Sequence, residues 1–361
     1  MVESSRNEYK PDFVTPPGET LKETLESIGM SQRDLARRTG RPVKTINEIV
    51  KGKAAITAET ALQLERVLGI SASFWVNREQ HYREYLARQA EQEALRKGKN
   101  WLKGMPLKEM AEYGWIRRFS DPIEQMQELL GFFGVRSPRE YMDLWKNLQV
   151  SFRMSPSFQV DRDALAAWLR KGVIEAQKIE CDAYDAAEFA KILQRIRPLT
   201  LEPPEIFQPE LIRLCASCGV AVVFVRELPK TRTSGATRWL TPEKALIQLS
   251  LRYKSDDMLW FTFFHEAGHI LLHGKRLVFL HDDKYEGAKE KEANRFAENI
   301  LIPAEKLGPF MLSRQRSRAA VERFAEEIGI SPGIVVGRLQ HLNYLPKSHL
   351  NGLKRRYRWS D

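Results

Sequence analysis

His265 and His269 are four residues apart, and Glu266 directly follows the first of them. Two imidazoles at this spacing lie on one face of a helix, so both can bind a single Zn²⁺ ion. The neighbouring glutamate can act as the general base for a metal-activated water molecule. The flanking runs, LWFTFF and ILLHG, are apolar, and burying two histidines and a carboxylate among them is costly unless a ligand satisfies them. The motif therefore predicts hydrolytic zinc chemistry, with His265 and His269 as metal ligands and Glu266 as the catalytic base.

A third zinc ligand is expected from elsewhere in the chain, because a catalytic zinc site usually has three protein ligands and one open position. Leu272 and Lys275 stand where a metzincin would need glycine and histidine, which excludes that class. The next helix downstream offers two glutamates. Glu292 precedes Phe296 by one helical turn, and since Phe296 marks the expected buried face, Glu292 is predicted to point inward as the third ligand. Glu290 is the fallback.

The sequence does not assign the group that would stabilise the oxyanion of the transition state. His273, His281 and Tyr285 are candidates because they are close to the motif along the chain. His273, one turn beyond His269, could equally hydrogen-bond to a metal ligand or be purely structural.

The elements that must position this motif are a helix over about 256–273, a second helix over 288–301 and a small sheet. The run GVAVVFV (219–225) is β-branched and apolar, as a buried strand should be, and strand-like runs follow near 234–240 and 245–251. The proline-marked stretch RPLTLEPPEIFQP separates this region from helical segments before it. The pattern predicts a mainly helical α+β domain with a small sheet.

The region from about 205 to 345 resembles the ImmA/IrrE family of metallopeptidases. The resemblance is carried by FTFFHEAGHILLHG, EKEANRFAENILIP and ISPGIVVGRLQHLNYL. It implies a zincin-like (gluzincin-like) fold and a Zn²⁺ cofactor, with His265, His269 and Glu292 as ligands and Glu266 as the base. Some proteins of this family cleave a partner repressor, so the resemblance also implies a protein substrate.

A second group of functional residues lies in the segment SQRDLARRTGRPVKTINEIVKGK, residues 31–53. Ser31 can cap a short helix that Gly40 ends, and a second helix follows in which Ile46 and Ile49 turn inward. The pattern predicts a helix-turn-helix whose second helix can enter a major groove. Seven basic residues against two acidic ones give this segment a net charge of +5, half of the chain's +10. Contact with DNA phosphates is the natural use of such a charge.

The longer run from Pro16 to Trp75 resembles the Xre-type (lambda-repressor-like) helix-turn-helix, and more closely the HigA-type antitoxins of toxin–antitoxin modules. The marks are Pro17-Gly18-Glu19, Ile46-Asn47-Glu48-Ile49, Ile56-Thr57-Ala58 and Phe74-Trp75. The resemblance implies an all-α domain that binds a double-stranded DNA operator as a homodimer, on half-sites about one helical turn apart. It also implies a toxin partner.

The same resemblance implies roles for residues of this domain. Gln32 would brace the DNA backbone, and Asn47 could reach a base or a phosphate. Val43, Lys44 and Glu48 would face bases, with specificity leaning on Lys44, thymine methyl groups and DNA shape. The predicted DNA-binding residues are Gln32, Arg37, Arg38, Arg41, Val43, Lys44, Asn47, Glu48, Lys51 and Lys53.

Aromatic residues follow this motif within the segment Ser71–Ala90, which contains Phe74, Trp75, Tyr82 and Tyr85. They could form a surface for dimerisation or for a toxin. They could equally close the core of the small domain. The sequence leaves both interpretations open.

Composition excludes several protein classes. Three cysteines in 361 residues exclude a disulfide scaffold, and the C-x-x-C pair Cys215 and Cys218, with no second pair, is predicted to lie in the core. No run of about 18 uncharged apolar residues could span a bilayer, so no membrane association is expected. The first residues, MVESSRNEYKPDF, lack the apolar stretch of a signal peptide, and a cytoplasmic location is expected.

The sequence therefore predicts a multidomain chain in four parts. These are a helix-turn-helix domain (1–90), a helical middle segment of unknown role (91–204), the zincin-like domain (205–345) and a loosely ordered basic tail (346–361). The predicted function is a DNA-binding, antitoxin-like repressor whose zinc metallopeptidase domain cleaves a partner protein or the chain itself. The alternative is a non-enzymatic repressor or antitoxin whose zinc domain acts as a sensor or a toxin-docking module.

Overall fold

The computed structural model describes residues 14–151, 161–274, 279–280 and 287–359. The chain forms two compact units, Met1–Lys99 and Asn100–Asp361. In the described part of the chain, no helix is both long and apolar enough to cross a membrane.

The first unit consists of helices. They are α1 (Pro17–Ser27), α2 (Gln32–Thr39), α3 (Val43–Val50), α4 (Ala58–Leu68) and α5 (Ala72–Gly98). The Ser31 hydroxyl accepts a hydrogen bond from the backbone N–H of Asp34 and so caps α2, which ends at Gly40 in the left-handed conformation (φ 69°). Ile46 and Ile49 of α3 are buried, as their spacing predicts. The predicted helix-turn-helix is confirmed as a helical domain.

The recognition helix α3 is held close to α1 by a glycine. A Cβ atom on Gly18 would lie 2.1 Å from the carbonyl oxygen of Ile49 and 2.6 Å from that of Val50. No other residue type fits there without separating the two helices.

The second unit contains a small sheet among many helices. Its helices are α6 (Leu107–Glu112), α7 (Pro122–Phe133), α8 (Pro138–Ser151), α9 (Arg162–Gln177), α10 (Ala186–Ile196), α11 (Pro204–Ala216), α12 (Asp256–Leu272), α13 (Ala288–Leu301), α14 (Ala304–Leu312), α15 (Arg318–Ile328) and α16 (Pro332–His341). Its strands are β1 (Val220–Phe224), β2 (Gly235–Thr241), β3 (Lys244–Leu249) and β4 (Phe279–Leu280). The predicted α+β class is confirmed.

The sheet has the strand order β1-β3-β2-β4. β1 pairs parallel to β3, with Val222 opposite Ile247, whereas β2 is antiparallel to both β3 and β4. The three longer strands match the predicted ones, and β4 is a short addition that the sequence did not indicate.

Both faces of the sheet are covered. One face joins α10, α11, α12 and α16 in the largest hydrophobic core. The other face packs against α9, where Trp168 is wholly buried and its indole N–H donates to the carbonyl of Val225 (3.0 Å). α9 and α10 lie within 91–204, the interval predicted as a middle segment of unknown role, and they pack on opposite faces of the sheet.

The C-terminal segment packs on the domain as far as Trp359, so the predicted loose tail is not found there. Tyr357 is buried, and Arg356 pairs with Ser255 in an isolated β-bridge. Lys354 donates to the carboxylate of Asp257 (2.7 Å), a buried residue of the first turn of α12. A buried carboxylate needs a cationic partner, and this requirement ties the basic segment to the domain.

Candidate functional site

The helix α12 carries the His-Glu-x-x-His motif at the centre of the second unit. Its side chains His265, Glu266 and His269 are essentially inaccessible to solvent. α12 is apolar on all sides because β2 and β3 pack on one flank and α13 and α16 on others. The burial expected from the LWFTFF and ILLHG flanks is confirmed.

Three donor atoms converge at this point of α12. The Nε2 atoms of His265 and His269 are 2.9 Å apart. Glu290 of α13 places one carboxylate oxygen 3.1 Å from His265 Nε2 and the other 3.3 Å from His269 Nε2. In a tetrahedral zinc site with Zn–N distances near 2.0–2.1 Å, neighbouring donors are about 3.3 Å apart. The spacing of these buried donors therefore fits a zinc ion, and two imidazoles with one carboxylate are a ligand set that zinc accepts.

The structure corrects the predicted third ligand. Glu290 points at the histidines with its side chain 7% exposed, whereas the side chain of Glu292 is 58% exposed and contacts His273. Phe296 does contact Gly268 of α12, but it is half-buried and lies at the margin of the face that α13 buries, so the position one turn before it, Glu292, turns outward.

The face that α13 turns to α12 is set by small residues. A Cβ atom on Gly268 would lie 3.3 Å from the Cα atom of Ala293, so the two helices touch at this point. Ala293 and Ala297 are wholly buried, and Glu290 lies one turn before Ala293 on the same face. The close contact of the helices thus brings Glu290, and not Glu292, to the histidines.

The second nitrogen of each histidine also has a partner. Asn294 presents its side-chain oxygen 2.8 Å from His265 Nδ1. His269 Nδ1 lies 2.9 Å from His273 Nδ1, and His273 Nε2 lies 3.0 Å from Glu292. With a metal bound, Nδ1–H groups that donate outward along these contacts would leave both Nε2 lone pairs for the metal, in place of the Nε2 contacts to Glu290.

Asn294 was missed by the sequence reasoning. The signal was available, because Asn294 follows Glu290 by four residues and so lies on the same side of α13. Among the oxyanion candidates, His273 is engaged between His269 and Glu292. His281 and Tyr285 lie outside the described residues.

The ionisable groups of the site have shifted pKa values. Burial works against ionisation of Glu290, but hydrogen bonds from His265 and His269 outweigh it and lower the pKa of this carboxyl to about 2. Burial lowers the pKa of His269 to about 4. The two groups are therefore deprotonated at neutral pH, as metal ligands must be.

Glu266 has the opposite shift. Burial raises the pKa of its carboxyl well above the usual range, and the nearby Glu290 carboxylate acts in the same direction. β2 packs directly on this side chain, since a Cβ atom on Gly235 would lie 2.8 Å from Glu266 Oε1. A carboxyl group with a raised pKa is suited to holding a proton and passing it on.

The exposed face of α3 is the second candidate site. The Lys44 side chain is 86% exposed and Val43 and Glu48 are also accessible, with Lys44 Nζ 3.9 Å from the Glu48 carboxylate. Asn47 donates to the side-chain oxygen of Gln32 (3.3 Å), so these two predicted contacts form a pair linking α3 to α2.

The basic residues around α3 differ in where they point. Arg38, Lys51 and Lys53 are exposed, and so is Arg37, which pairs with Asp34 within α2. Arg41 does not join them. Its side chain is 19% exposed, donates to Gln63 (2.5 Å) and lies 3.3 Å from Glu59. These contacts turn Arg41 toward α4, away from the predicted role at DNA phosphates.

The aromatic segment Ser71–Ala90 serves more than one purpose. Trp75 is wholly buried in the core of the first unit, whereas Phe74 is 39% exposed. Tyr82 and Tyr85 are half-buried. The core interpretation therefore holds for Trp75.

The cysteine pair lies in the core as predicted. Cys215 and Cys218 are both free thiols and buried. Burial raises the pKa of Cys218 to about 12, so its thiol is unreactive at neutral pH.

Comparison with known proteins finds two matching families. Residues 21–75 match the model described as helix-turn-helix (HTH_3), and residues 218–340 match the model described as IrrE N-terminal-like domain (Peptidase_M78).

Curated relatives match over short stretches. An uncharacterized HTH-type transcriptional regulator, YddM of Escherichia coli, is 36% identical over 61 residues, which are 17% of this chain and 65% of that protein. Virulence-associated protein I of Dichelobacter nodosus is 40% identical over 77 residues, which are 21% of this chain and 71% of that protein. The chain thus spans about two thirds of the length of these relatives.

Solved structures also match about a quarter of the chain. An addiction module antidote protein of the HigA family from Coxiella burnetii is 32% identical, with a TM-score of 0.22, and covers 23% of this chain and 91% of its own. Pseudomonas aeruginosa antitoxin HigA with the higBA promoter has the same identity, TM-score and coverage.

Proposed function

We propose that this chain, which belongs to the helix-turn-helix family through residues 21–75 and carries an IrrE N-terminal-like domain over residues 218–340, is an antitoxin-like transcriptional regulator with a zinc-dependent peptidase domain. The helix-turn-helix unit would bind an operator. The second unit would cleave a peptide bond in a partner protein or in the chain itself.

The convergence of His265, His269 and Glu290 is the observation that supports the peptidase half. Three buried donors at the spacing of zinc ligands, with two imidazole Nε2 atoms only 2.9 Å apart, favour a metal site over core packing. These three residues would hold the metal. When bound, zinc supplies Lewis-acid polarisation of a peptide carbonyl.

Glu266 would carry the proton transfers. Its carboxylate would take a proton from the attacking water and return it to the departing amine. Asn294 and His273 would keep the two imidazoles oriented through their Nδ1 atoms.

The experiment for this half replaces the base and keeps the ligands. Glu266→Gln should bind as much zinc as the natural chain but lose cleavage, which is measured with fluorescein-labelled casein and by intact mass of the chain after incubation with zinc. Loss of zinc in this variant would contradict the assignment of Glu266 as a base.

The second candidate function is a non-enzymatic regulator whose zinc site is a sensor or a docking element for a toxin. The burial of Glu266 beneath β2 favours it, since a substrate must reach this carboxyl. A zinc-loaded chain that cleaves neither casein nor itself would support this alternative.

The DNA-binding half would act through α3 and the exposed basic residues beside it. Lys44→Ala should weaken binding to the operator, because Lys44 is the most exposed base-facing cation of α3. Arg38→Ala should lower the slope of log affinity against log salt by about 0.9 on a duplex of mixed sequence. Lys191→Ala, an exposed lysine of the second unit, is the matched control and should leave both quantities unchanged. Unchanged affinity for Lys44→Ala would remove α3 from the major groove.

The assembly proposed for the first unit is a homodimer on two half-sites. The exposed Phe74 at the start of α5 is available for that contact or for a toxin. Phe74→Ser, compared with the natural chain by sedimentation, should shift the population toward monomer if Phe74 lies in the dimer interface.

A further inference from the structure

β1 is an edge strand of the sheet. In the described part of the chain only β3 pairs with it, at the end of the order β1-β3-β2-β4. The N–H of Val225 donates to Leu249 of β3 (2.9 Å), so the odd-numbered residues of β1 direct their peptide groups toward β3. The N–H and C=O groups of Val222 and Phe224 therefore point to the open edge.

Within the described ranges, no hydrogen bond reaches these groups of Val222 and Phe224. Val222 is fully buried and Phe224 is half-buried. Val222 is inaccessible to solvent, so among the described residues Phe224 offers the peptide groups of this edge that a further strand can reach.

A groove of about 340 Å³ runs along this edge. One wall is the end of α9, with Lys171 and Glu175, together with Lys178 directly after this helix. The other wall is α11, with Ile212. The backbone from Val222 to Arg226 lines the groove between them. A strand added here would direct alternate side chains toward α9 and toward α11.

The charge of the groove selects the occupant. Lys171, Lys178 and Arg226 face one acidic residue, Glu175, which leaves an excess of two positive charges. Lys178 is 64% exposed even though it pairs with Glu175 (2.9 Å). Carboxylates spaced two residues apart would meet this wall, and apolar residues between them would meet the side of Ile212 and Val222.

From these observations we propose that the free edge of β1 binds an extended, acidic segment of a partner protein, which adds to the sheet as a fifth strand. Main-chain hydrogen bonds to the half-buried Phe224 would hold the segment, and Lys171 of α9 with Lys178 just after it would select its charge. The proposal goes beyond the peptidase function and does not depend on zinc.

The test uses the full chain and two labelled peptides of about six residues, one alternating valine with glutamate and one alternating valine with lysine. Fluorescence anisotropy should show the acidic peptide binding at least about tenfold more tightly than the basic one. Hydrogen–deuterium exchange of the amide of Phe224 should slow when the acidic peptide is added.

Two variants and a control locate the binding. Phe224→Pro removes one outward N–H while leaving the odd-numbered ladder to β3, and edge strands accept proline. It should abolish binding while circular dichroism and thermal melting show a folded chain. Lys178→Glu should weaken binding about fivefold or more. Lys191→Glu breaks an equivalent exposed pair, with Glu188 at 3.1 Å, and should leave binding within about twofold.

Equal affinity for both peptides, or no slowing of exchange at Phe224, would overturn the proposal. Unchanged binding by folded Phe224→Pro would overturn it too. If the natural chain is a dimer that Phe224→Pro converts to monomers, a second copy occupies the edge and the acidic segment does not.

Discussion

The third metal ligand gives a direct comparison between two glutamates of one helix. Glu290→Gln and Glu292→Gln make the same chemical change two residues apart on α13. Glu290 is buried and contacts both motif histidines, at 3.1 and 3.3 Å. Glu292 is largely exposed and reaches the site only through His273.

The expected magnitudes follow from this geometry. Loss of a residue that hydrogen-bonds to a metal ligand typically lowers metal affinity 10- to 100-fold. Because Glu292 is largely exposed, we expect Glu292→Gln to lower zinc affinity about tenfold, or about 1.4 kcal/mol. Loss of Glu290, the carboxylate of the proposed ligand set, should exceed that range. Glu290→Gln is therefore expected to lower zinc affinity by more than about 100-fold, or about 2.7 kcal/mol.

The assay is competition for zinc against a chromogenic chelator, with circular dichroism to verify that both variants are folded. The ratio of the two losses is the decisive quantity. If Glu292→Gln loses as much zinc affinity as Glu290→Gln, or more, the reading of α13 that places Glu290 against the histidines is refuted.

Three further predictions concern single residues. Asn294→Ala should lower zinc affinity about 10- to 100-fold, because its contact to His265 Nδ1 (2.8 Å) orients that ligand; an unchanged chelator titration would contradict this. Gly18→Ala should destabilise the helix-turn-helix unit by about 1–3 kcal/mol, since the new Cβ meets the Ile49 carbonyl; Gly131→Ala, with open space around it, is the control, and equal shifts in denaturant midpoint would count against the argument. Burial raises the pKa of Asp256, so its contribution to stability is complete below the usual carboxyl pKa and is lost as the pH rises through the raised value. Asp256→Asn should therefore raise Tm at pH 7, and the difference in Tm from the natural chain should vanish toward pH 3. A difference that grows on acidification would contradict the expected direction.

Local signals predicted the first unit well. Ser31 caps the start of α2 and Gly40 ends it, and both effects depend only on neighbouring residues. Ile46 and Ile49 follow the helical period. The motif on α12 was predictable for the same reason, because both histidines and the glutamate lie on one helix.

The third ligand was not predictable in this way. Which face α13 buries depends on the contact between Gly268 and Ala293, two residues from different helices. Phe296 was a poor guide because it touches Gly268 from the margin of the buried face and is only half-buried, whereas Ala293 and Ala297 at the centre of that face are wholly buried.

Partners distant in sequence explain the other corrections. The charge of Arg41 predicts a contact with DNA phosphates, but its side chain donates to Gln63 and pairs with Glu59, both in α4. The basic C-terminal segment read as a tail because its partner, the buried Asp257, lies 97 residues earlier. Charge content alone does not show which cations are already engaged.

Elemental analysis of the purified protein shows whether His265, His269 and Glu290 hold a zinc ion. We expect about one zinc per chain for the natural protein and loss of that zinc in folded His265→Ala. No zinc in the natural protein, or the same zinc content in the variant, would contradict that expectation.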